Sequence, residues 1–130
     1  MEMIGENGFV LNIYLAKPSG PALYDNWINC KIDIKSMHFN GRYDICLMHE
    51  ELEYLYRAIN EVQMTKLVTF SSLEEGLCID LKYDIDGKYY CKFKFADQYD
   101  NCLICNVVID YESMERFKAE FAKNMSLVRK

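Results

Sequence analysis

Cys102 and Cys105 are the two cysteines whose spacing most resembles a reactive site. A thiol–disulfide exchange centre or a zinc site needs both sulfur atoms to converge on one point. The alternating apolar residues around this pair predict an extended strand, in which an offset of three places the side chains on opposite faces. We therefore interpret both cysteines as buried structural thiols, the usual role of unpaired cysteine in a protein interior.

His38 and His49 are the only histidines of the chain. Cys46 and His49 have the residue types of a nucleophile and its base, which need to be close in space rather than in sequence. His38 lies beside a predicted turn, and His49 begins a predicted helix whose next residues are acidic. No other feature of the sequence supports a catalytic pair, so solvated histidines are the favoured interpretation.

The segment 84–87 (Asp-Ile-Asp-Gly) resembles the start of a calcium-binding loop. Such a loop requires a bidentate glutamate at its twelfth position, and Phe95 occupies that place here. The adjacent pairs Glu50–Glu51 and Glu74–Glu75 supply carboxylates, but adjacency alone does not create the geometry of acid–base catalysis. The sequence therefore predicts no catalytic residue, no metal ligand and no cofactor.

Length and charge limit the class of protein. The chain has 130 residues and a net charge of −5, which predicts one domain over residues 1–130 with a substantial core. The acidic balance, without a basic run, argues against a nucleic-acid partner. The first residues predict no signal peptide and no apolar run is long enough for a membrane span. We expect a cytoplasmic protein whose six cysteines stay reduced.

The stretch 77–95 is the segment around which the remaining elements are expected to pack. Apolar and polar residues alternate on both sides of Gly87, which indicates two half-buried strands. A three-residue loop ending at Gly87 is typical of a type I turn followed by a left-handed residue. A shift of one residue would exchange the two faces, so we predict a single register. Its pairs are Tyr83 with Tyr89, Leu81 with Cys91, Ile79 with Phe93, Leu77 with Phe95, Asp84 with Lys88 and Asp80 with Lys92.

The same alternation predicts further strands, and a helical period predicts two amphipathic helices. One helix covers 48–62, and the other is C-terminal and begins at a cap formed by Asp110 or Ser113. Short connections favour antiparallel neighbours. The predicted fold class is α+β, an antiparallel β-sheet of about six to seven strands with the two helices packed on one face. The further strands are 9–15, 28–35, 43–47, 66–70 and 103–109, with a proline-rich loop over 17–26.

Three aromatic residues interrupt predicted polar faces: Trp27, Tyr54 and Tyr90. Tryptophan and tyrosine are favoured anchors of protein interfaces, although single exposed aromatics are also common on ordinary surfaces. Asp97 and Asp100 lie in the polar loop that follows the hairpin. Together these five residues form the candidate partner-binding surface.

Several short motifs together resemble the immunity proteins of the WapI type, which protect bacteria from the polymorphic toxins of their neighbours. The similarity spans nearly the whole chain and includes the strand from Trp27, the amphipathic helix and the final strand-to-helix unit. It carries over no binding residue, because such proteins share a fold while recognising different toxins. The motifs are Tyr14 with Pro18, Asp25 before Trp27, Phe39-Asn-Gly41, Glu51-Leu-Glu-Tyr-Leu55, Ser72-Leu-Glu74 and Asp86-Gly87.

The resemblance implies a non-catalytic binding protein that neutralises a cognate toxin by direct contact. The acidic surface is compatible with a basic toxin domain as the partner. One alternative is a homo-oligomeric interaction module that uses a sheet edge or the polar face around Trp27 and Tyr90. Another is a small-ligand binder or enzyme, which no sequence feature favours. The oligomeric state and the strand order are left open.

Overall fold

Eight strands and two helices make up the described part of the chain, residues 1–16, 27–99 and 101–128 of a computed structural model. The predicted loop 17–26 and Asp100 lie outside these described residues. The helices are α1 (His49–Thr65) and α2 (Tyr111–Val128). The strands are β1 (Glu2–Ile4), β2 (Val10–Leu15), β3 (Trp27–Lys35), β4 (Asn40–Met48), β5 (Leu67–Ser71), β6 (Leu77–Tyr83), β7 (Tyr89–Ala96) and β8 (Cys102–Ile109).

The strands form two four-stranded antiparallel sheets. The N-terminal sheet has the order β1-β2-β3-β4 and the C-terminal sheet has the order β5-β6-β7-β8. The α+β class with antiparallel strands is therefore confirmed, but the strands divide between two sheets instead of one. The division falls at α1, which separates β4 from β5 along the chain. The additional strand, β1, has only three residues and is too short to show a periodic pattern.

The central hairpin is confirmed in its predicted register. Tyr83 lies opposite Tyr89 and the other predicted pairs of β6 and β7 follow along the ladder, with the two tyrosine rings 4.8 Å apart. Gly87 has a φ of 79°, the left-handed conformation that the three-residue loop requires and that glycine adopts without steric cost. The Gly87 amide donates to the Asp84 carbonyl at 3.0 Å and closes the turn.

The inner faces of both sheets and the apolar stripes of both helices share one hydrophobic core. Phe9, just before β2, stacks on Phe93 of β7 with ring centroids 6.0 Å apart. At one side the two sheets also meet through the backbone, where the Glu6 amide donates to the Val108 carbonyl at 2.9 Å. The two sheets are thus in contact through Phe9 and Phe93 and are joined by a backbone hydrogen bond near the β1 side.

The two predicted helices are present with slightly different limits. Helix α1 begins one residue after the predicted start and extends to Thr65. Helix α2 begins after Asp110, whose carboxylate accepts a hydrogen bond from the Ser113 amide at 2.7 Å. Of the two predicted caps, Asp110 is therefore the one used. Tyr56 of α1 and Phe121 of α2 pack with ring centroids 5.0 Å apart, which joins the two helices.

Candidate functional site

The residue types that could perform catalysis have separate partners. The Cys46 thiol donates to the Asn29 side-chain oxygen at 2.9 Å, whereas the His49 imidazole lies 3.3 Å from the Glu53 carboxylate. Cys105 is buried and Cys102 is exposed, so the two cysteines do lie on opposite faces, but the prediction that both are buried is wrong for Cys102. Cys102 is the first residue of β8 and its side chain lies on the outer face of the C-terminal sheet.

The aromatic residues of the candidate surface lie on three different elements. Trp27 begins β3 opposite Met48 and points to the outer face of the N-terminal sheet. Tyr54 is on α1 and stacks on Phe70 of β5 with centroids 6.2 Å apart. Tyr90 is on the outer face of the C-terminal sheet.

Tyr90 has a local partner at the hairpin turn. Its hydroxyl donates to the Asp86 carboxylate at 2.6 Å. This hydrogen bond lowers the pKa of Asp86 and raises the pKa of Tyr90. Nearby, the Lys88 ammonium and the Glu6 carboxylate are 3.1 Å apart, which ties the turn to the segment after β1. The polar contacts around Tyr90 therefore stabilise the turn, while the Tyr90 ring stays exposed on the outer face of the sheet.

Strand β4 forms one edge of the N-terminal sheet. Within the described residues it pairs with β3 alone, over its full nine residues. The Ser36 amide donates to the Phe39 carbonyl at 2.8 Å and closes the turn between the two strands. In antiparallel strands, hydrogen-bonded pairs alternate with non-hydrogen-bonded pairs. Because Ser36 and Phe39 form a hydrogen-bonded pair, the alternation from this pair determines which residues of β4 direct their backbone groups away from β3.

By this alternation, the N–H and C=O groups of Arg42, Asp44 and Cys46 point toward the open side of β4. Those of Tyr43 and Ile45 point toward β3. The end of the strand agrees with this assignment, because the Met48 amide is directed away from β3 and donates to the Glu51 carboxylate at 2.7 Å. The open side of β4 therefore carries a row of backbone donors and acceptors.

An open cleft of about 580 Å³ lies beside this edge. The edge of β4 forms one side, and two loops of the C-terminal sheet, 72–76 and 96–99, form the other. Its acidic residues are Asp44, Glu74 and Asp97, and its one basic residue among the described residues is Arg42. The remaining lining residues are Asn29, Tyr43, Ile45, Cys46, Ser72, Gly76, Ala96, Gln98 and Tyr99.

Tyr43 joins the two sides of this cleft. Its hydroxyl donates to the Gly76 carbonyl at 2.8 Å and also contacts the Ala96 carbonyl. Its ring packs edge-on against Phe95 with centroids 5.8 Å apart. Burial and the nearby Asp97 carboxylate raise the pKa of Tyr43, so the hydroxyl stays protonated and able to donate. Gly76 approaches closely, since a Cβ there would lie 3.0 Å from the Tyr43 hydroxyl.

Both loops of the cleft are held by hydrogen bonds. The Asp97 carboxylate accepts from the amides of Tyr99 and Asn101 at 2.8 and 3.0 Å, and these bonds lower the pKa of Asp97. In the other loop, the Ser72 hydroxyl accepts from the Leu77 amide at 3.1 Å. Asp97 therefore stays ionised at neutral pH and has a fixed position at the rim of the cleft.

The sequence indicated Asp97 but not the other residues that line the cleft with it. The local sequence around each of these residues contains no signal of a binding site. Only the approach of β4 to the two loops, which are distant in sequence, brings together Tyr43, Ile45 and Glu74. One signal pointed to this region. Asp44 is a charged residue on the predicted strand 43–47 and Arg42 directly precedes that strand, and such charges are typical of a sheet edge that native proteins protect from unwanted pairing.

Two further searches of the described residues gave negative results. No three histidine, cysteine or acidic side chains in this part of the chain converge as a metal site would require. Neither of the two described helices is long and apolar enough to cross a membrane.

Among the curated proteins, none matches the chain. The family model of the immunity protein WapI-like family matches residues 3–127, which covers both sheets and nearly all of α2. The chain therefore belongs to the WapI-like family of immunity proteins.

Proposed function

We propose that this protein neutralises a cognate bacterial toxin by direct, non-covalent binding in the cytoplasm. The observation that carries the proposal is the family match over residues 3–127. An immunity protein needs a surface complementary to its toxin and does not need to transform it. The proposed role is accordingly that of a binding protein and not of an enzyme, which agrees with the separate partners of Cys46 and His49.

A basic toxin domain is the partner that the charge of the chain favours. The net charge is −5, and Asp44, Glu74 and Asp97 lie together along one cleft. Complementary charge accelerates the encounter of two proteins and disfavours partners of the same sign. The proposed contact residues are Trp27, Tyr54, Tyr90, Asp97 and Asp100, and Asp97 has the strongest support because it lies at the rim of the cleft.

Co-expression with the toxin domain encoded in the adjacent reading frame tests the proposal. We expect the protein to restore growth and to co-purify with the toxin as a stable complex. A toxin that stays fully lethal and does not co-purify would contradict direct neutralisation. Chemical modification of the toxin in a recovered, separated sample would instead show that the protein is an enzyme.

Alanine substitutions of Trp27, Tyr54 and Tyr90, together with Asp97→Asn and Asp100→Asn, locate the contact surface. Residues at the centre of an interface typically cost more than about 1 kcal/mol when truncated, which is about a fivefold change in Kd. Thermal unfolding of each variant controls for loss of structure, since Tyr54 and Tyr90 also have contacts within the protein.

A further inference from the structure

We infer that the open edge of β4 binds an extended, basic segment of the toxin as an additional strand of the N-terminal sheet. The inference rests on the proposed function and specifies the site and the form of the partner. In this mode of recognition, backbone hydrogen bonds supply affinity, and alternate side chains of the added strand supply specificity.

The first argument is the row of backbone groups on β4. Arg42, Asp44 and Cys46 direct their N–H and C=O groups to the open side, at positions two residues apart along the strand. An added strand would lie about 4.8 Å from β4 and match this spacing. Nine residues are long for an edge strand, and the charges of Arg42 and Asp44, which protect such an edge from unwanted pairing, favour a segment whose charges complement them.

The second argument is the shape of the neighbouring cleft. On β3, the inward side chains of Ile28, Cys30 and Ile32 are at most 1% exposed. On β4, the inward side chains of Tyr43 and Ile45 are only half-buried, because the cleft opens beside them. A strand added at this edge would cover their exposed parts with the side chains that it directs inward.

The third argument is charge. Asp44 and Glu74 line the cleft, and within the described residues neither of them forms an ion pair. Asp97 completes the acidic rim, whereas the exposed Arg42 is paired with Asp33 at 3.4 Å. An extended segment with Lys or Arg at alternate positions would place its charges near these carboxylates, whereas an acidic segment would be repelled.

The cleft is already in place before a partner binds. Asp97 accepts three hydrogen bonds from Tyr99 and Asn101, Ser72 holds the loop 72–76, and Tyr43 bridges β4 to Gly76 and Ala96 on the other side of the cleft. Fixing these loops in advance reduces the conformational entropy lost on binding.

Amide hydrogen exchange on the wild-type protein tests the inference without a substitution. The probe is the toxin domain encoded in the adjacent reading frame, carrying a change that abolishes its toxicity. We expect the amides of Arg42, Asp44 and Cys46 to become at least about tenfold slower in the complex, because backbone hydrogen bonding protects them from exchange. Those of Tyr43 and Ile45 should be slow in both states.

Two proline variants compare the edge of β4 with the edge of β5. Asp44→Pro removes one outward-facing donor of β4 without removing a hydrogen bond to β3, and proline is tolerated at such positions of edge strands. On β5, the Tyr83 amide donates to the Lys66 carbonyl. By the same alternation, the backbone groups of Thr69 point away from β6. Thr69→Pro is therefore the corresponding change on β5. Asp44→Asn retains the donor and removes only the charge.

We expect Asp44→Pro to weaken binding by about 30-fold or more, since a partner carbonyl loses its donor. Asp44→Asn should weaken it by about threefold, as for a charge at an interface rim. Thr69→Pro should change Kd by less than about twofold, because it leaves β4 intact. Circular dichroism and thermal unfolding establish that each variant is folded. If a variant does not fold, the exchange measurement on the wild-type protein tests the inference by itself.

The outcomes separate this inference from the proposed function. A tight complex in which the amides of Arg42, Asp44 and Cys46 stay fast overturns the inference and leaves direct neutralisation standing. Protection of the β5 amides instead overturns it in the same way. The absence of any complex overturns both. In the free protein, the protection of the β4 amides could increase with protein concentration. That result would show that a second copy of this chain occupies the edge, and it would overturn the inference.

Discussion

Strands β4 and β5 each form one edge of their sheet, β4 in the N-terminal sheet and β5 in the C-terminal sheet, and they differ in length and in what lies beside them. Strand β4 has nine residues and borders the acidic cleft, whereas β5 has five residues and lies beside helix α1. The inward residues of β5, Val68 and Phe70, are buried, and Tyr54 of α1 stacks on Phe70. The inward residues Tyr43 and Ile45 of β4 are only half-buried.

This difference indicates that the edge of β5 contributes mainly to stability and the edge of β4 mainly to recognition. The edge beside α1 contributes apolar surface to the core, and burial of that surface is the main favourable term in folding. The edge beside the cleft leaves backbone groups and part of its apolar face accessible, which costs some stability but permits an added strand. Substitutions at β5 should therefore affect folding most, and substitutions at β4 should affect binding most.

The largest expected effect is that of Phe70→Ala on β5. Removing this 3% exposed ring leaves a cavity between β5 and α1, and we expect the free energy of unfolding to fall by about 3–5 kcal/mol. Ile45→Ala on β4 removes a smaller side chain that is only half-buried, and it should cost only about 1–2 kcal/mol because part of that side chain already faces the cleft. Urea unfolding measures both. Equal losses would remove the distinction between the two edges.

Tyr43→Phe should have an intermediate effect. The change keeps the ring against Phe95 but removes the hydroxyl that bonds to Gly76 and Ala96. We expect a loss of about 1–2 kcal/mol in the free energy of unfolding, the usual contribution of one or two such hydrogen bonds. The accompanying increase in hydrogen exchange should be confined to the loops 72–76 and 96–99. Unchanged stability would mean that the hydroxyl does not connect the two sides of the cleft.

Asp97→Asn should produce the smallest effect, and one that depends on pH. The amides of Asn101 and Tyr99 lower the pKa of Asp97 in the folded state. The resulting stabilisation is present above the ordinary carboxyl pKa and is lost as the pH falls through the lower folded-state pKa. Unfolding midpoints of wild type and variant should therefore differ most near neutral pH and converge in strong acid. A difference that is the same at every pH would contradict this origin.

Local patterns predicted the parts of the fold that depend on neighbouring residues. The pairing of Tyr83 with Tyr89 follows from alternation and the loop that ends at Gly87, and the cap at Asp110 follows from its side-chain chemistry. Helix α1 was predicted by its apolar period, although its C-terminal turn was not. These features depend on contacts between residues close in sequence, which a single chain displays directly.

The division into two sheets and the cleft could not be predicted in this way. They depend on non-local contacts, such as Phe9 with Phe93 and Tyr43 with Gly76 and Ala96, and neither contact has a periodic signature. Exposure of Cys102 is different, because the alternation of β8 that buries Cys105 also places Cys102 on the opposite face. Of the candidate surface, Asp97 lines the cleft, while Trp27, Tyr54 and Tyr90 lie on other elements.

Amide hydrogen exchange of the free protein, followed residue by residue along β4, tests the central claim most directly. If the edge is open, the amides of Tyr43 and Ile45 should exchange slowly, because they are bonded to β3, and those of Arg42, Asp44 and Cys46 should exchange quickly. The alternation should be independent of protein concentration. Slow exchange at all five amides in the dilute protein would show that the edge is already covered and would contradict the account.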